Sequence, residues 1–321
     1  MCEAYDAALL DLDGVLYVGP AAVAHAADSV GAARDRGMRV AFVTNNASRR
    51  PRVVAEHLTE LGIHAVPTDV VTSAQAAVGY LRDRIPIGAN VLVLGTQDLA
   101  AEVTEGGFVA VRTADAVAAV VQGLDPSTSW RDLAEASVAI RAGALWVAGN
   151  ADSTYPSPRG LLPGNGALVQ ALVTATGRRP VVVGKPEPEL HRASVERVGA
   201  LRPLIVGDRL DTDVLGAVRA GADSLLVLTG VTDRAQLLGA PVGSRPTYVA
   251  QDLRGLLTAH IEPTVHGEQA HCGEARAWYD GDVLLTSGPE ADALRAACAL
   301  AWDRADRTDP AARDPAREDL A

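Results

Sequence analysis

Asp11 and Asp13 flank Leu12 directly after the apolar run Ala7-Ala8-Leu9-Leu10. Carboxylates this close repel one another and are costly to bury, so a cation, a proton or bulk water must compensate. In an extended segment residues i and i+2 share one side. The pair could therefore converge at the carboxyl end of a strand, where open α/β sheets bind ligands. The same residues also suit a turn, with Asp13-Gly14 punctuating a strand end. Three more polar clusters end apolar runs further along: Thr44-Asn45, Lys185, and Asp208 with Asp213. An ammonium, a hydroxyl and amides suit an anion, while carboxylates suit a hard cation or a proton.

Alternating periodicities supply the elements that would position these groups. Ala7–Leu10 reads as a strand, Ala21–Arg36 as a helix stopped by Gly37, and Arg39–Val43 as a strand ending at Thr44, with a helix from about Pro51. Thr68–Arg84 has helical spacing. Asn90–Leu94, Phe108–Val111, Ala118–Val121 and Leu145–Val147 read as strands, with helices at Gln97–Glu105 and Trp130–Arg141. The stretch 149–166 is long and rich in Gly, Pro and Asn, which favours a functional loop. Ala167–Thr176 and Leu190–Gly199 read as helices around the strand Val181–Val183. Pro203–Val206 and Leu225–Leu228 flank an alanine-rich helix ending at Ala220, and Thr247–Val249 closes the pattern. Such alternation predicts an α/β protein: a Rossmann-like parallel-sheet core, an inserted α/β cap and a small C-terminal α+β appendage. The expected bounds are 1–78 with 180–261 for the core, 79–179 for the cap and 262–321 for the appendage. Within the appendage, a hairpin over 274–286 turns at Asp280-Gly281, Glu290–Asp303 is helical, and Arg304–Ala321 reads as disordered.

The chain has 321 residues, 40 acidic against 29 basic, and a formal net charge of −11. That balance argues against nucleic acid and offers no basic stretch for a membrane surface, so a small anionic ligand needs locally placed positive charge. No apolar run is long enough to span a bilayer and the N-terminus has no leader pattern, which points to the cytoplasm. Cys2, Cys272 and Cys298 are widely separated and read as free thiols. A phosphate loop of the G-x-x-x-x-G-K-[ST] type is absent, which excludes that NTPase class. His25, His57, His64 and His191 read as surface or boundary residues, and Trp130 and Trp146 as packing residues.

In order, the four clusters are a DxD pair, a strand-ending threonine, a lysine and a GDxxxxD loop. They resemble the motifs of the haloacid dehalogenase superfamily over about residues 7–255. TNNASR after the second strand, GKPEP around Lys185 and the GNAD…YP…LPGNGA loop resemble its phosphatase branch with a large α/β cap. That branch includes para-nitrophenylphosphatase-like, phosphoglycolate, pyridoxal-phosphate and glycerol-3-phosphate phosphatases. The resemblance implies that Asp11 attacks phosphorus to give an aspartyl-phosphate. Asp13 would protonate the leaving alkoxide and later take a proton from water. It implies Mg²⁺ held by Asp11, the Asp13 backbone carbonyl and Asp208, with Asp213 beside that shell. Thr44, Asn45 and Lys185 would bind the phosphoryl group. Substrate-binding candidates extend to Asn46, Arg49, Asn150 and Asp152, with Tyr155, Arg159 and Leu161–Gly166 in the same cap loop. Asp211 is expected only to favour its helix N-terminus. The appendage resembles the short acetyltransferase-like extension of actinobacterial glycerol-3-phosphate phosphatases, which favours glycerol 3-phosphate as substrate. A broad phosphatase acting on phosphoglycolate, pyridoxal phosphate, nucleotides or para-nitrophenyl phosphate is the rival enzyme. A non-catalytic metabolite-binding or scaffold protein is the alternative of another class. Caps in this branch often mediate dimers, so a homodimer is open.

Overall fold

The structure, a computed structural model, describes residues 1–157 and 159–308. These form two compact units, Met1–Val40 with the chain from Ala200 onward, and Ala41–Gly199.

In the first unit, four strands lie parallel in the order Tyr248–Ala250, Asp223–Val227, Pro203–Gly207, Ala7–Leu10. Their middles are uninterrupted apolar runs such as Ala7-Ala8-Leu9-Leu10, all buried, as strands covered on both faces must be. The register sets Leu10 beside Val206 and Val206 beside Leu225, so the residues just past each strand gather at one edge of the sheet. The helix expected from Ala21 begins later, at Ala26. Ala21–Ala22 instead pairs with Tyr17–Val18 as a short antiparallel ribbon, and His25 at φ 65° turns the chain into the helix.

The C-terminal segment adds an antiparallel sheet of four strands: Thr264–His266, Gln269–Cys272, Ala275–Asp280 and Val283–Ser287. The expected hairpin is there, with Asp280 paired to Val283 and Gly281 at φ 60° in the turn. The first two strands are too short and polar to have stood out in the sequence. One helix, Glu290–Thr308, joins this sheet to the parallel one because it is apolar on two sides. Leu294 and Cys298 pack with Val214, Leu226, Leu237 and Val249. Ala296, Ala297 and Leu300 pack under Ala270, Cys272 and Ala277. Trp302 Nε1 donates to the Leu237 carbonyl and Arg245 pairs with Asp306 at 2.8 Å, both partly buried. The disorder expected from Arg304 does not hold for Arg304–Thr308, which continues the helix; Arg304 lies 4.1 Å from the Tyr279 ring centroid. Residues 309–321 lie outside the described residues.

In the second unit, Phe42–Thr44 runs parallel to Val70–Thr72. This corrects the helix expected from Thr68: three buried β-branched residues extend as a strand, and the helix starts at Ser73. Thr72 caps that helix by accepting from the Gln75 N–H, while the Gln75 side chain accepts from the Thr72 N–H. A five-stranded parallel sheet follows, ordered Val181–Val182, Leu145–Ala148, Ala119–Gln122, Asn90–Leu94, Val109–Val111. The helices Trp130–Arg141 and Asn165–Thr176 cover a core of Leu92, Val120, Ile140, Trp146 and Leu172. Trp146 is buried as expected, whereas Trp130, at the first helical position, is 79% exposed and packs into no core. The stretch 149–166 is not one open loop. Thr154–Ser157 and Gly160–Pro163 form a two-stranded hairpin, and the next helix starts at Asn165.

Candidate active site

The first unit carries the acidic residues. Asp11 follows its strand directly, its N–H bonded to the Val206 carbonyl at 2.9 Å. Leu12 is buried and Asp13 exposed, and the chain already bends at Leu12, whose carbonyl accepts from the Leu16 N–H at 2.8 Å. Gly14, at φ 82°, then turns the chain, and its carbonyl accepts from the Thr229 hydroxyl at 2.6 Å. Asp208 ends the strand Pro203–Gly207 and is 1% exposed; its Oδ2 accepts from the Val231 N–H at 2.6 Å. Asp213 is equally buried and is delivered by a wide helical turn over Leu210–Val214, its Oδ2 accepting from the Arg209 N–H at 3.2 Å. Carboxylate oxygens of Asp11, Asp208 and Asp213 all lie within 4.8 Å of one another.

Such a cluster needs space as well as charge balance. A Cβ on Gly14 would lie 2.4 Å from Asp208 Oδ2, one on Gly230 1.9 Å from the same atom, and one on Gly207 2.2 Å from Asp213 Cβ. Glycine at these positions makes room for two buried carboxylates. Three hard oxygen donors this close, two of them withdrawn from solvent, fit a divalent cation of the Mg²⁺ kind. Asp211 points elsewhere: exposed, it takes both Nε and Nη2 of Arg209, which holds its carboxyl below the usual range. That matches its expected minor place.

The second unit carries the donors for an anion, and Asn45 is their hub. Its Oδ1 accepts from the Lys185 N–H at 2.7 Å and its Nδ2 donates to the Lys185 carbonyl at 3.0 Å, so one amide clamps both sides of the lysine's backbone. Its own carbonyl accepts from Ser73 Oγ at 2.6 Å and from Asn150 Nδ2 at 2.8 Å. Asn150 is in turn tied by Asn165, whose Nδ2 donates to its carbonyl at 2.7 Å. A Cβ on Gly184 would lie 2.3 Å from the Gly149 carbonyl, which requires glycine just before the lysine. Lys185 is 3% exposed, and the buried Thr44 hydroxyl accepts from the Asn46 N–H at 3.1 Å.

The other expected substrate residues fall as follows. Asn46 is exposed and its Oδ1 accepts from both the N–H and hydroxyl of Ser48. Arg49 is exposed. Asn150 is buried, its Oδ1 accepting from the Asp152 N–H at 3.2 Å, and Asp152 is half-buried. Tyr155 and Arg159 lie on or beside the hairpin. Two residues had no signal in the sequence. Ser73 is an ordinary helix-start residue whose tie to Asn45 depends on tertiary placement, whereas Asn165 falls in the Leu161–Gly166 stretch already singled out and reaches Asn45 through Asn150. His191, expected at a surface or boundary, is 2% exposed. Burial first, and the Lys185 charge second, push its imidazole down to about 3.

Comparison with known proteins matches residues 8–109 to the haloacid dehalogenase-like hydrolase family and residues 182–256 to a HAD-hydrolase-like family. The D-glycerol 3-phosphate phosphatase of Mycobacterium tuberculosis is 51% identical over 257 residues, covering 80% of this chain and 72% of that protein. An acid sugar phosphatase of Staphylococcus aureus is 37% identical, covering 78% of this chain and 95% of that protein. Among solved structures, the glycerol phosphate phosphatase of M. tuberculosis in complex with magnesium aligns with a TM-score of 0.82 at 44% identity, over 94% of this chain and 92% of that one. A p-nitrophenyl phosphatase from Archaeoglobus fulgidus aligns with a TM-score of 0.73 at 29% identity, over 78% of this chain and 97% of that one.

Proposed function

This chain belongs to the haloacid dehalogenase-like hydrolases and is a phosphoric monoester hydrolase, and from that premise we propose that it is a Mg²⁺-dependent phosphatase of glycerol 3-phosphate working through an aspartyl-phosphate on Asp11. The observation that carries the substrate is the 51% identity with a glycerol 3-phosphate phosphatase. Structural coverage supports it. The share of this chain that aligns is 94% for the glycerol phosphate phosphatase and 78% for the p-nitrophenyl phosphatase.

Asp11 has the chemistry for attack: a carboxylate at a strand end, held by its backbone N–H, with further acidic groups kept at fixed distance. Attack splits one difficult displacement into two easier ones. Asp13, exposed and two residues on, gives a proton to the leaving alkoxide and then takes one from the water that attacks the acyl phosphate. A dianionic ester meeting a carboxylate is repelled unless cations intervene. Bound Mg²⁺ would offset that repulsion, with Asp11, Asp208 and the Asp13 carbonyl as its protein ligands and Asp213 beside them. Lys185 supplies the second positive charge, and Thr44 with the Asn45 N–H supplies hydrogen bonds to the phosphoryl oxygens.

In this reading 1–78 with 180–261 form the catalytic core, 79–179 the cap and 262–321 an appendage, in a cytoplasmic enzyme. Among the described residues no helix is long and apolar enough to cross a membrane. Arg49 and Asp152 are the proposed contacts to the glycerol hydroxyls, with Asn46 beside them and Asn150 holding the loop. The test is a comparison of kcat/KM across glycerol 3-phosphate, phosphoglycolate, pyridoxal phosphate, nucleotides and para-nitrophenyl phosphate, with Mg²⁺ and with EDTA. Glycerol 3-phosphate should lead and EDTA should abolish turnover. Another ester leading by about tenfold, a margin of about 1.4 kcal/mol, would replace the substrate.

A further inference from the structure

The hairpin formed by Thr154–Ser157 and Gly160–Pro163 is fastened at its base. Thr154, Leu161 and Pro163 are exposed, Leu161 by 72%, so side-chain packing does little to seat it. Below it the two ends are stitched together. The Gly164 N–H donates to the Ser153 carbonyl and the Gly166 N–H to the Asp152 carbonyl, both at 2.9 Å. A Cβ on Gly164 would lie 2.2 Å from the Asp152 carbonyl oxygen and one on Gly166 2.1 Å from that of Ala151, so backbone meets backbone with no slack. Asn165 sits between these glycines at the first position of its helix and is 1% exposed. Its side chain does not cap that helix. Nδ2 donates to the Asn150 carbonyl at 2.7 Å, and Oδ1 has no hydrogen-bond partner among the described residues. Burying an amide with one half unpaired costs stability. An alanine would avoid that cost, so the bond to Asn150 calls for a reason.

Asn150 joins the hairpin base to Asn45. Its carbonyl accepts from Asn165, its Oδ1 accepts from the Asp152 N–H at 3.2 Å, and its Nδ2 donates to the Asn45 carbonyl at 2.8 Å. Asn45 in turn clamps the Lys185 backbone on both sides. We propose that Asn165 is a positioning residue that makes the hairpin a substrate sensor: contact of the ester's alcohol end with Asp152 and the hairpin seats the base, and Asn165, Asn150 and Asn45 pass that seating to the Lys185 backbone. The proposal rests on the reading of Asn45 and Lys185 as phosphoryl ligands. Each link is a hydrogen bond between neutral groups within one compact unit. Binding energy from atoms remote from phosphorus is thereby turned into alignment at phosphorus, which raises kcat and does more than lower KM. An ester with a one-carbon alcohol leaves the hairpin untouched and gains nothing from the chain of amides.

The test compares Asn165→Ala with the wild type on two esters in Mg²⁺: the one that leads the substrate screen, whichever it is, and methyl phosphate. The ratio of variant to wild type is taken for each ester, so intrinsic reactivity cancels. Asn165→Ala should lower kcat for the leading ester about three- to tenfold, the net worth of one hydrogen bond, and leave kcat for methyl phosphate within about twofold. Equal losses on both esters, as a merely structural role would give, no loss on either, or a change confined to KM would overturn the proposal. Should Asn165→Ala not fold, backbone hydrogen exchange of the wild type decides. The phosphonate analogue of the leading ester, at saturation, should protect the Lys185 N–H more than saturating inorganic phosphate does, and equal protection would overturn the proposal. Lys185→Met, run in parallel, separates the premise: undiminished turnover of methyl phosphate there would remove the reading of Lys185 and this proposal with it.

Discussion

The carboxylates of the first unit and the cationic and amide donors of the second are held in opposite ways. Asp208 and Asp213 occupy room left by side chains that are missing: Gly14, Gly230 and Gly207 each leave a gap that a single methyl group would close. Lys185 is held by bonds that are added, through the chain of amides running Asn165 to Asn150 to Asn45 to the lysine backbone. Like charges repel, so holding them together takes rigid backbone on every side and a counter-ion. An ammonium among amides has no such conflict, but its long stem must be aimed. The acidic half should therefore fail sharply when space is filled, and the cationic half gradually as bonds are removed.

Variants can break or sharpen that contrast. Asp11→Asn should have the largest effect, lowering kcat by about 10⁴-fold or more, because no other carboxylate can serve as nucleophile. Its Tm should not fall, since one of three clustered negative charges is gone; thermal unfolding checks this beside the rate. Gly230→Ala, at a position with ordinary backbone angles, drives a methyl group into the Asp208 carboxylate. Activity should drop by about 10²-fold and the Mg²⁺ needed for half-maximal rate should rise, as expected when a metal-site carboxylate is displaced. Asn45→Ala should lower kcat by about ten- to a hundredfold through a misaimed lysine, and stability by about 2 kcal/mol for the two lost hydrogen bonds. Mg²⁺ dependence should not change, which separates it from Gly230→Ala.

Acid should reach the second unit through His191. Its imidazole is held near 3 in the folded chain against an ordinary 6.5. Between those values the unfolded chain binds a proton that the folded chain refuses. Stability is therefore full above about pH 6.5 and falls as pH drops toward 3, by about 2 kcal/mol at pH 5. Urea unfolding at pH 7 and pH 5 measures the slope, and His191→Phe should flatten that part of it. Asp211→Asn should have the smallest effect, changing kcat by less than about twofold, because its exposed pair with Arg209 is screened by water.

The contrast between the halves also governs what the sequence made legible. Asp11, Asp13, Asp208 and Asp213 stood out because acidic residues after apolar runs demand an explanation, and the alternation around them predicted parallel sheets. The roles of Gly14 and Gly230 were hidden, since a missing Cβ shows its meaning only against Asp208. The amide chain was hidden for another reason. Asn45, Ser73, Asn150 and Asn165 are separated along the chain, and each would pass alone for a turn or helix-start residue. Val70–Thr72 was misread because its apolar positions continued the spacing of the helix after it, and tertiary pairing with Phe42–Thr44 prevailed over local pattern. The burial of His191 was invisible because the face of a helix that is covered depends on what packs against it.

The central claim is that Asp11 carries the phosphoryl group. Quenching the enzyme in acid during turnover of glycerol 3-phosphate, reducing with borohydride and sequencing the peptides by mass spectrometry tests it directly, because borohydride reduces an acyl phosphate to an alcohol. Conversion of residue 11 to homoserine, dependent on substrate and absent in Asp11→Asn, is the predicted result. Reduction at a different residue, or none at all while turnover proceeds, would contradict the account.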